Sequence, residues 1–419
     1  MKLVIIHYHL RTGGVTGVII SQVQAVQKYF PHIDVEIIAG DIPSSLRKEI
    51  DCPLFEVPEC DYYDEGNRDI DRIRNTLSNL LASYPLDTLF HVHNPSIGKN
   101  PVLTAAVTEY ACRGGRCIFH CHDFIEERPA LLKTARKLSS LLGYETYRDY
   151  FYPQTSSVQW IFLNRADMKR AQFHRMQNQC FYVPNPVQLP PKPHADRRDT
   201  ARQIDADPDT PWFVYPVRAI ERKNIGECIL LSRLLAPNDQ WIIMRAPENS
   251  REIPLYTKWI DLAQSFTLPF IFDAAKQIPF SHIYHHADTV VTTSFREGFG
   301  MAFLEPYYLG KKLVGRDLPE ITRDFTALGI SFPGLYTALW VSHGNSTCDF
   351  ALLSPQEKLC CVRDILSRDK KHAEFIHLNQ NTRKKLLLST DETEGNQEIV
   401  HSRFSPEIFS RRLYRIYTK

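Results

Sequence analysis

Short apolar runs recur along the chain, separated by segments of helical spacing. Lys2–Tyr8 is a β-rich run, Thr12-Gly13-Gly14-Val15-Thr16-Gly17 turns the chain, and Val18–Tyr29 has the spacing of a helix. Further strand-like runs lie at Val35–Ala39, Thr88–Val92, Arg116–His120, Trp160–Leu163 and Phe181–Val183, with helical segments between them. Strands alternating with helices predict a parallel sheet covered on both faces. The pattern then breaks. Pro184–Pro193 contains five prolines, and a polar stretch continues to Pro211. Proline removes a backbone donor and fixes φ, so this stretch predicts a boundary, with no helix or central strand. The alternation restarts at Trp212–Val217, Trp241–Met244, Phe270–Phe272, Thr289–Thr293 and Lys312–Val314.

The expected organisation is therefore an N-terminal βα domain over 1–186, a proline-rich linker over 187–210 and a second βα domain over 211–403. A closing helix follows over 404–419. Ser405 stands at its N-cap and Pro406 at its first position, and Arg411, Arg412, Arg415 and Lys419 suit the negative end of its dipole.

Composition narrows the classes. The 419 residues are 43% hydrophobic and 23% charged, which excludes a disordered or collagen-like chain. Fifty Lys+Arg face 48 Asp+Glu, a formal +2, so charge gives no reason to expect nucleic acid or a membrane surface. No apolar run reaches the roughly 18 residues of a membrane span. The opening Met1–His7 run is too short for a secretion signal. Ten cysteines are scattered with no CxxC pair, as expected of reduced thiols in a cytoplasmic protein.

The candidate chemistry gathers at predicted strand ends. Ser294-Phe295-Arg296-Glu297-Gly298-Phe299-Gly300-Met301-Ala302-Phe303-Leu304-Glu305-Pro306 follows a strand. Gly298 and Gly300 permit tight turning, and a helix opening at Gly300 would offer free N–H groups to a phosphate. Glu297 before that helix and Glu305 within it can accept hydrogen bonds from the hydroxyls of one ligand. The plainer alternative is a βα turn with two solvated glutamates. Arg218 and Lys223 lie just beyond another strand and can hold a diphosphate, or simply form a basic turn. His122-Asp123 and His93-Asn94 each end a strand, where α/β ligands bind. Gly13-Gly14 would let the backbone approach a ligand, although the turn lacks the GxGxxG spacing of a dinucleotide site.

The order of these segments resembles one family. Glu297-x7-Glu305 around Gly-Phe-Gly, Val217-Arg218-Ala219-Ile220-Glu221-Arg222-Lys223-Asn224, Val183-Pro184-Asn185-Pro186, Phe119-His120-Cys121-His122-Asp123-Phe124, Arg11-Thr12-Gly13-Gly14-Val15 and Gly315-Arg316-Asp317-Leu318-Pro319-Glu320-Ile321 together resemble the retaining GT-B glycosyltransferases of the GT4-like, glycogen-synthase and sucrose-synthase-like group. The resemblance spans nearly the whole chain. It implies two Rossmann-like domains facing across a cleft and a hexosyltransferase acting with retention. Arg218 and Lys223 would stabilise the leaving diphosphate, Glu297 would hold sugar hydroxyls, and His122 would flank the donor sugar. Gly13, Gly14, Gly298, Phe299, Gly300, Met301 and Glu305 would complete the donor site, with Glu305 on the ribose.

His93, Asn94 and Asp123 fall on the acceptor side. The closing helix would return to the N-terminal domain, packing Ile408, Phe409, Leu413, Ile416 and Tyr417 against it. The expected partners are a nucleotide-diphosphate sugar, with UDP and GDP both open, and a hydroxyl acceptor of unknown type. No metal or cofactor is expected. Two departures matter: Val217 stands where a glycine usually precedes the arginine, and the His120-Cys121-His122-Asp123 run leaves open which histidine faces the donor.

Two rival readings use the same residues. His91-x-His93 and His120-x-His122 imitate paired metal ligands of a hydrolase, with Asp123 as a further ligand. A sugar-nucleotide-binding protein without catalysis is the other. The aspartate pairs Asp69-Ile70-Asp71 and Asp205-Ala206-Asp207 follow no apolar strand and read as solvated.

Overall fold

The computed structural model describes residues 1–64, 66, 69–173, 179–388 and 393–419. The chain forms two compact units: Met1–Pro186 together with Phe404–Lys419, and Val187–Arg403.

The first unit is built on seven strands: β1 (Lys2–His7), β2 (Asp34–Ala39), β3 (Leu54–Glu56), β4 (Leu89–His93), β5 (Cys117–Cys121), β6 (Val158–Phe162) and β7 (Cys180–Tyr182). Their order is β3-β2-β1-β4-β5-β6-β7 and every pairing is parallel. β4 and β5 are buried along their whole length, as expected where helices cover both faces. Period-two alternation sorts their side chains. Phe90, Val92, Phe119 and Cys121 enter one core, while Leu89 and Ile118 enter the other.

The second unit has β8 (Trp212–Arg218), β9 (Gln240–Arg245), β10 (Phe270–Ile271), β11 (Thr289–Thr292), β12 (Lys312–Arg316) and β13 (Leu335–Tyr336). Their order is β10-β9-β8-β11-β12-β13, again parallel throughout. An antiparallel hairpin follows, β14 (Trp340–His343) with β15 (Ser346–Asp349), turning at Gly344 with φ 60°. The alternation of apolar runs did not announce β3, β13 or this hairpin. They are short, and β3 and β13 stand at sheet edges, paired to a neighbouring strand on one side only.

In each sheet the strand order reverses once, between β1 and β4 and between β8 and β11. Connections leave such a point in opposite directions and open a crevice at the carboxyl ends. The Gly13-Gly14 turn and His93-Asn94 lie at the first reversal; Arg218–Lys223 and Ser294–Glu297 lie at the second.

The polar stretch before Pro211 departs from expectation. Residues 197–204 form a helix capped by the Asp196 side chain, which accepts from Asp199 N at 2.8 Å. Val187 and Leu189 are buried, so the segment packs as part of the second unit. The prolines end before residue 194 and leave the helix free to form.

The closing helix, Pro406–Tyr417, starts on the Ser405 hydroxyl, which accepts from Ile408 N. It lies in the first unit against the helix Gly14–Tyr29. Phe409, Leu413, Ile416 and Tyr417 are buried, Ile408 is half-buried, and Tyr414 stacks on Phe30 at 4.1 Å and 3°. No helix among the described residues is long and apolar enough to cross a membrane.

Candidate active site

In the second unit, the loop after β11 is stitched to the loop after β8. Phe295 N donates to Arg222 O at 3.1 Å, Thr293 Oγ1 donates to Lys223 O at 3.1 Å, and the Tyr215 hydroxyl donates to Lys223 O at 2.8 Å while pairing with Ser294 Oγ at 2.9 Å. This stitching fixes Glu297. Its carboxylate accepts from Lys223 Nζ and, at 2.6 Å, from Arg222 Nη1, which also donates to Arg296 O. The Glu297 side chain is only 8% exposed, so burial works against its charge, but the two cations outweigh it and hold the carboxyl below its ordinary range. Burial lowers the Lys223 ammonium, against the opposing pull of Glu297.

Glu305 completes the cluster. It keeps some solvent access, yet its dense surround disfavours the charged form and pushes its carboxyl up to about 7, against the pull of Lys223. The Tyr284 hydroxyl lies beside it.

The structure thus brings Lys223, Glu297 and Glu305 together and adds Arg222, which the sequence reading treated as part of a mixed basic turn. Arg218 is elsewhere engaged: it ends β8 and pairs with Glu248 at 2.6 Å, with its Nε buried and unpartnered. Phe299 is buried edge-on to Phe325 at 5.4 Å and serves packing, while Gly298 and Met301 are half-buried. Gly300 is required: at φ 85° a Cβ would meet Ile321 Cγ2 at 2.6 Å. The helix expected from Gly300 does not form as one piece. A 3-10 turn, Met301–Phe303, is followed by the four-residue helix Glu305–Tyr308, because Pro306 allows only a fresh start and Gly310 ends it.

A buried ion network supports the Lys223 loop. Asn224 adopts φ 54° and donates to Glu227 Oε2 at 2.6 Å; Glu227 accepts from Arg316 at 2.8 Å and from the Tyr336 hydroxyl at 2.8 Å; Arg316 also pairs with Asp349 at 2.6 Å. Arg316 is therefore a framework residue.

In the first unit, Gly13 and Gly14 are exposed at the start of the Gly14–Tyr29 helix, and no side chain caps its first amides. Gly14 has open space where a Cβ would be. Asn94, at φ 59°, organises the β4 and β5 ends: its Oδ1 accepts from His122 N at 3.2 Å and Asp123 N at 3.0 Å, and its Nδ2 donates to Asp123 Oδ2 at 3.2 Å. Arg128 donates to the other Asp123 oxygen at 3.3 Å.

Behind this edge lies a buried imidazole chain. The β4–β5 register sets His93 opposite His120, and alternation puts His91, His93, His120 and His122 on one face. His93 Nε2 donates to Gln22 Oε1 at 2.7 Å, so its Nδ1 accepts from His122 Nε2 at 3.0 Å. The Gln22 amide donates to Tyr417 Oη at 2.7 Å and lies 3.1 Å from His91 Nδ1, leaving His91 Nε2 to donate to His120 Nδ1 at 3.1 Å. His7 Nδ1 donates to His93 O at 3.0 Å. Burial keeps all five rings neutral, with His7, His91 and His122 lowered to about 3. His122 is 8% exposed and His120 not at all, so His122 is the ring that ends the chain toward solvent.

The metal-ligand reading does not fit this donor set well. Nitrogens of His91, His93 and His120 lie within 4.8 Å of one another. However, both nitrogens of His91 and of His93 and Nδ1 of His120 are engaged with other rings, Gln22 or Tyr417, so that His120 Nε2 alone of the three rings' nitrogens has no partner among the described residues, and Asp123 is held by Asn94 and Arg128. Sequence reasoning missed His7, Gln22 and Tyr284, and it gave Arg222 and Tyr417 no role in a site. His7-x-His9, a third alternating pair, at the end of a first-sheet strand, was the available signal for the imidazole cluster.

Comparison with solved structures decides the fold. Anabaena HepE in complex with UDP-glucose matches with a TM-score of 0.63 at 13% identity, covering 100% of this chain and 99% of that one. Sucrose-phosphate synthase from Thermosynechococcus elongatus matches with a TM-score of 0.58 at 14% identity, covering 100% and 98%. WaaG, a glycosyltransferase of lipopolysaccharide biosynthesis, matches with a TM-score of 0.54 at 13% identity, covering 96% and 99%.

The fold is that of the GT-B glycosyltransferases.

Both Rossmann-like domains of a GT-B chain are thus present, each with its own strand-order reversal. In sequence, the chain is 26% identical over 350 residues to mannosylglucosyl-3-phosphoglycerate synthase of Petrotoga mobilis, covering 77% of this chain. It spans 66% of that relative's length. No protein-family profile matches the chain.

Proposed function

We propose that the protein is a retaining, GT4-like glycosyltransferase that moves a hexosyl group from a nucleotide-diphosphate sugar to a hydroxyl acceptor. The observation that carries this reading is the Glu297 carboxylate held by Lys223 and Arg222 at the carboxyl edge of the second parallel sheet. The fold supports it, as do the UDP and UDP-glucose bound by similar GT-B structures. The name of the Petrotoga relative, a synthase of a glycoside, agrees.

In this mechanism Glu297 accepts hydrogen bonds from donor-sugar hydroxyls and Glu305 from the ribose. The bond from the anomeric carbon to the diphosphate oxygen breaks, and Lys223 and Arg222 stabilise the growing negative charge. Preorganised cations of this kind are a large catalytic contribution, with one lost donor costing about 10²–10³ in rate. The acceptor oxygen bonds to the anomeric carbon on the same face, and its proton passes to the leaving phosphate oxygen. No protein nucleophile takes part. In the first unit, His122 is neutral and presents Nδ1 as an acceptor for a ligand hydroxyl.

The test is a thermal-shift screen with UDP- and GDP-sugars, followed by transfer assays with NMR of the product anomer. A shift with one nucleotide series and a retained anomer support the reading; no shift with either series, or an inverted product, overturns it.

A further inference from the structure

A cavity in the first unit has a volume of about 530 Å³. Small-molecule sites span about 300–1,000 Å³. It opens at the carboxyl ends of β5 and β6, where Phe124 directly follows His122-Asp123 and Phe162 closes β6. Ligands of open α/β sheets bind at that edge.

Its wall is aromatic. The Phe124 and Phe162 rings are near-parallel at 6.3 Å and 13°, Trp160 continues the ladder behind Phe162 at 6.4 Å and 10°, and Tyr152 adjoins Trp160 at 6.1 Å. Its charged groups are mostly carboxylates, Glu126, Glu127, Asp149 and Asp167 against Arg148 and Arg170, with Gln154 and Tyr152 as neutral polar groups. Glu126 is held in orientation, accepting from the Tyr147 hydroxyl at 3.1 Å and the Tyr152 hydroxyl at 2.7 Å. A carboxylate offers about four lone-pair positions, so Glu126 still has two for a ligand. Arg170 is occupied by Asp167 at 3.3 Å.

These features select a ligand class. A pyranose ring has C–H-bearing faces that stack on aromatic rings and an edge of hydroxyls that donate to carboxylates. A phosphate would meet mainly like charge. An acyl chain would bury polar groups without partners. We propose that this cavity is the acceptor subsite and that it takes the pyranose ring of a glycoside, stacked on the half-buried Phe124, which the buried Phe162 backs, with hydroxyls donated to Glu126. Its role as an acceptor subsite rests on the glycosyltransferase reading; glycoside binding by the cavity does not.

Saturation-transfer NMR on the full chain, with and without UDP, tests it using maltose, methyl α-glucopyranoside and glycerol 3-phosphate. Saturation is expected at the ring C–H protons of the glucosides. Glu126→Gln should weaken maltose binding about tenfold or more, and Phe124→Ala should abolish it, with circular dichroism confirming the fold of each variant. If Phe124→Ala fails to fold, Glu126→Gln alone decides. Absence of saturation in the wild type, stronger binding of glycerol 3-phosphate, or unchanged maltose affinity in Glu126→Gln overturns the proposal. Glucoside binding that responds to these variants, in a protein that transfers no sugar, upholds the cavity as a glycoside site and removes the glycosyltransferase reading instead.

Discussion

The Tyr417 hydroxyl lies 3.0 Å from His91 Nδ1, joining residues 326 positions apart in sequence. Tyr417 also accepts from Gln22, whose carbonyl holds His93, whose ring in turn holds His122. The last turn of the chain therefore sets the tautomers of a histidine ladder that ends at a proposed donor contact.

That ladder predicts acid lability. His7, His91 and His122 are lowered by burial to about 3, against about 6.5 in the unfolded chain. A base with a depressed folded value adds stability above its unfolded pKa, and the contribution is lost as pH falls below it. Each such histidine contributes about 1.4 kcal/mol per pH unit once its unfolded form is protonated. The melting temperature should fall steeply between pH 6.5 and 5, and less steeply in His120→Asn. A flat profile over that range contradicts the buried, neutral cluster.

Removing the closing helix should loosen the first unit. Truncation before Phe404 strips Phe409, Leu413, Ile416 and Tyr417 from its core. Hydrogen exchange should show lost protection within residues 1–180 and little change in 210–400. Tyr417→Phe, a milder change, should cost about 1–3 kcal/mol through buried groups left without a partner. Unchanged protection after truncation would show that the helix does not stabilise this unit.

Glu297→Ala should lower transfer at least about 100-fold, as expected when a transition-state contact is lost. It should also lower the melting temperature, because Lys223 loses its buried partner. Arg222→Ala should reduce turnover as well, because Arg222 is the second cation on Glu297. Wild-type turnover in Glu297→Ala sinks the assignment.

Nucleotide affinity should depend on pH through Glu305. Its carboxyl, raised to about 7, is largely protonated at pH 6 and must ionise to accept two ribose hydroxyls. Affinity should rise about tenfold from pH 6 to pH 8, one proton being released on binding. Calorimetry in buffers of different ionisation enthalpy should detect that proton, and Glu305→Gln should abolish both effects.

Activity should survive EDTA, since cationic side chains serve the leaving group. A complete loss restored by added metal would move the reading toward a metal-dependent reaction.

Local sequence determined what depends on local periodicity. Apolar runs set the strands, glycine and proline set the turns, and the alternation of strand and helix dictates parallel sheets. It also put the candidate motifs at strand ends, where the order reversals open their crevices. The tertiary structure decided which side chains meet there. Arg222, and not Arg218, pairs with Glu297, because the two loops are stitched through Thr293, Tyr215 and Phe295. Glu305 is raised toward neutrality by a surround assembled from separate elements. Four histidines share one face by alternation, which sequence can show. That they are neutral and hydrogen-bonded follows only from packing Gln22 and Tyr417 over them, since long-range burial sets both charge state and partner.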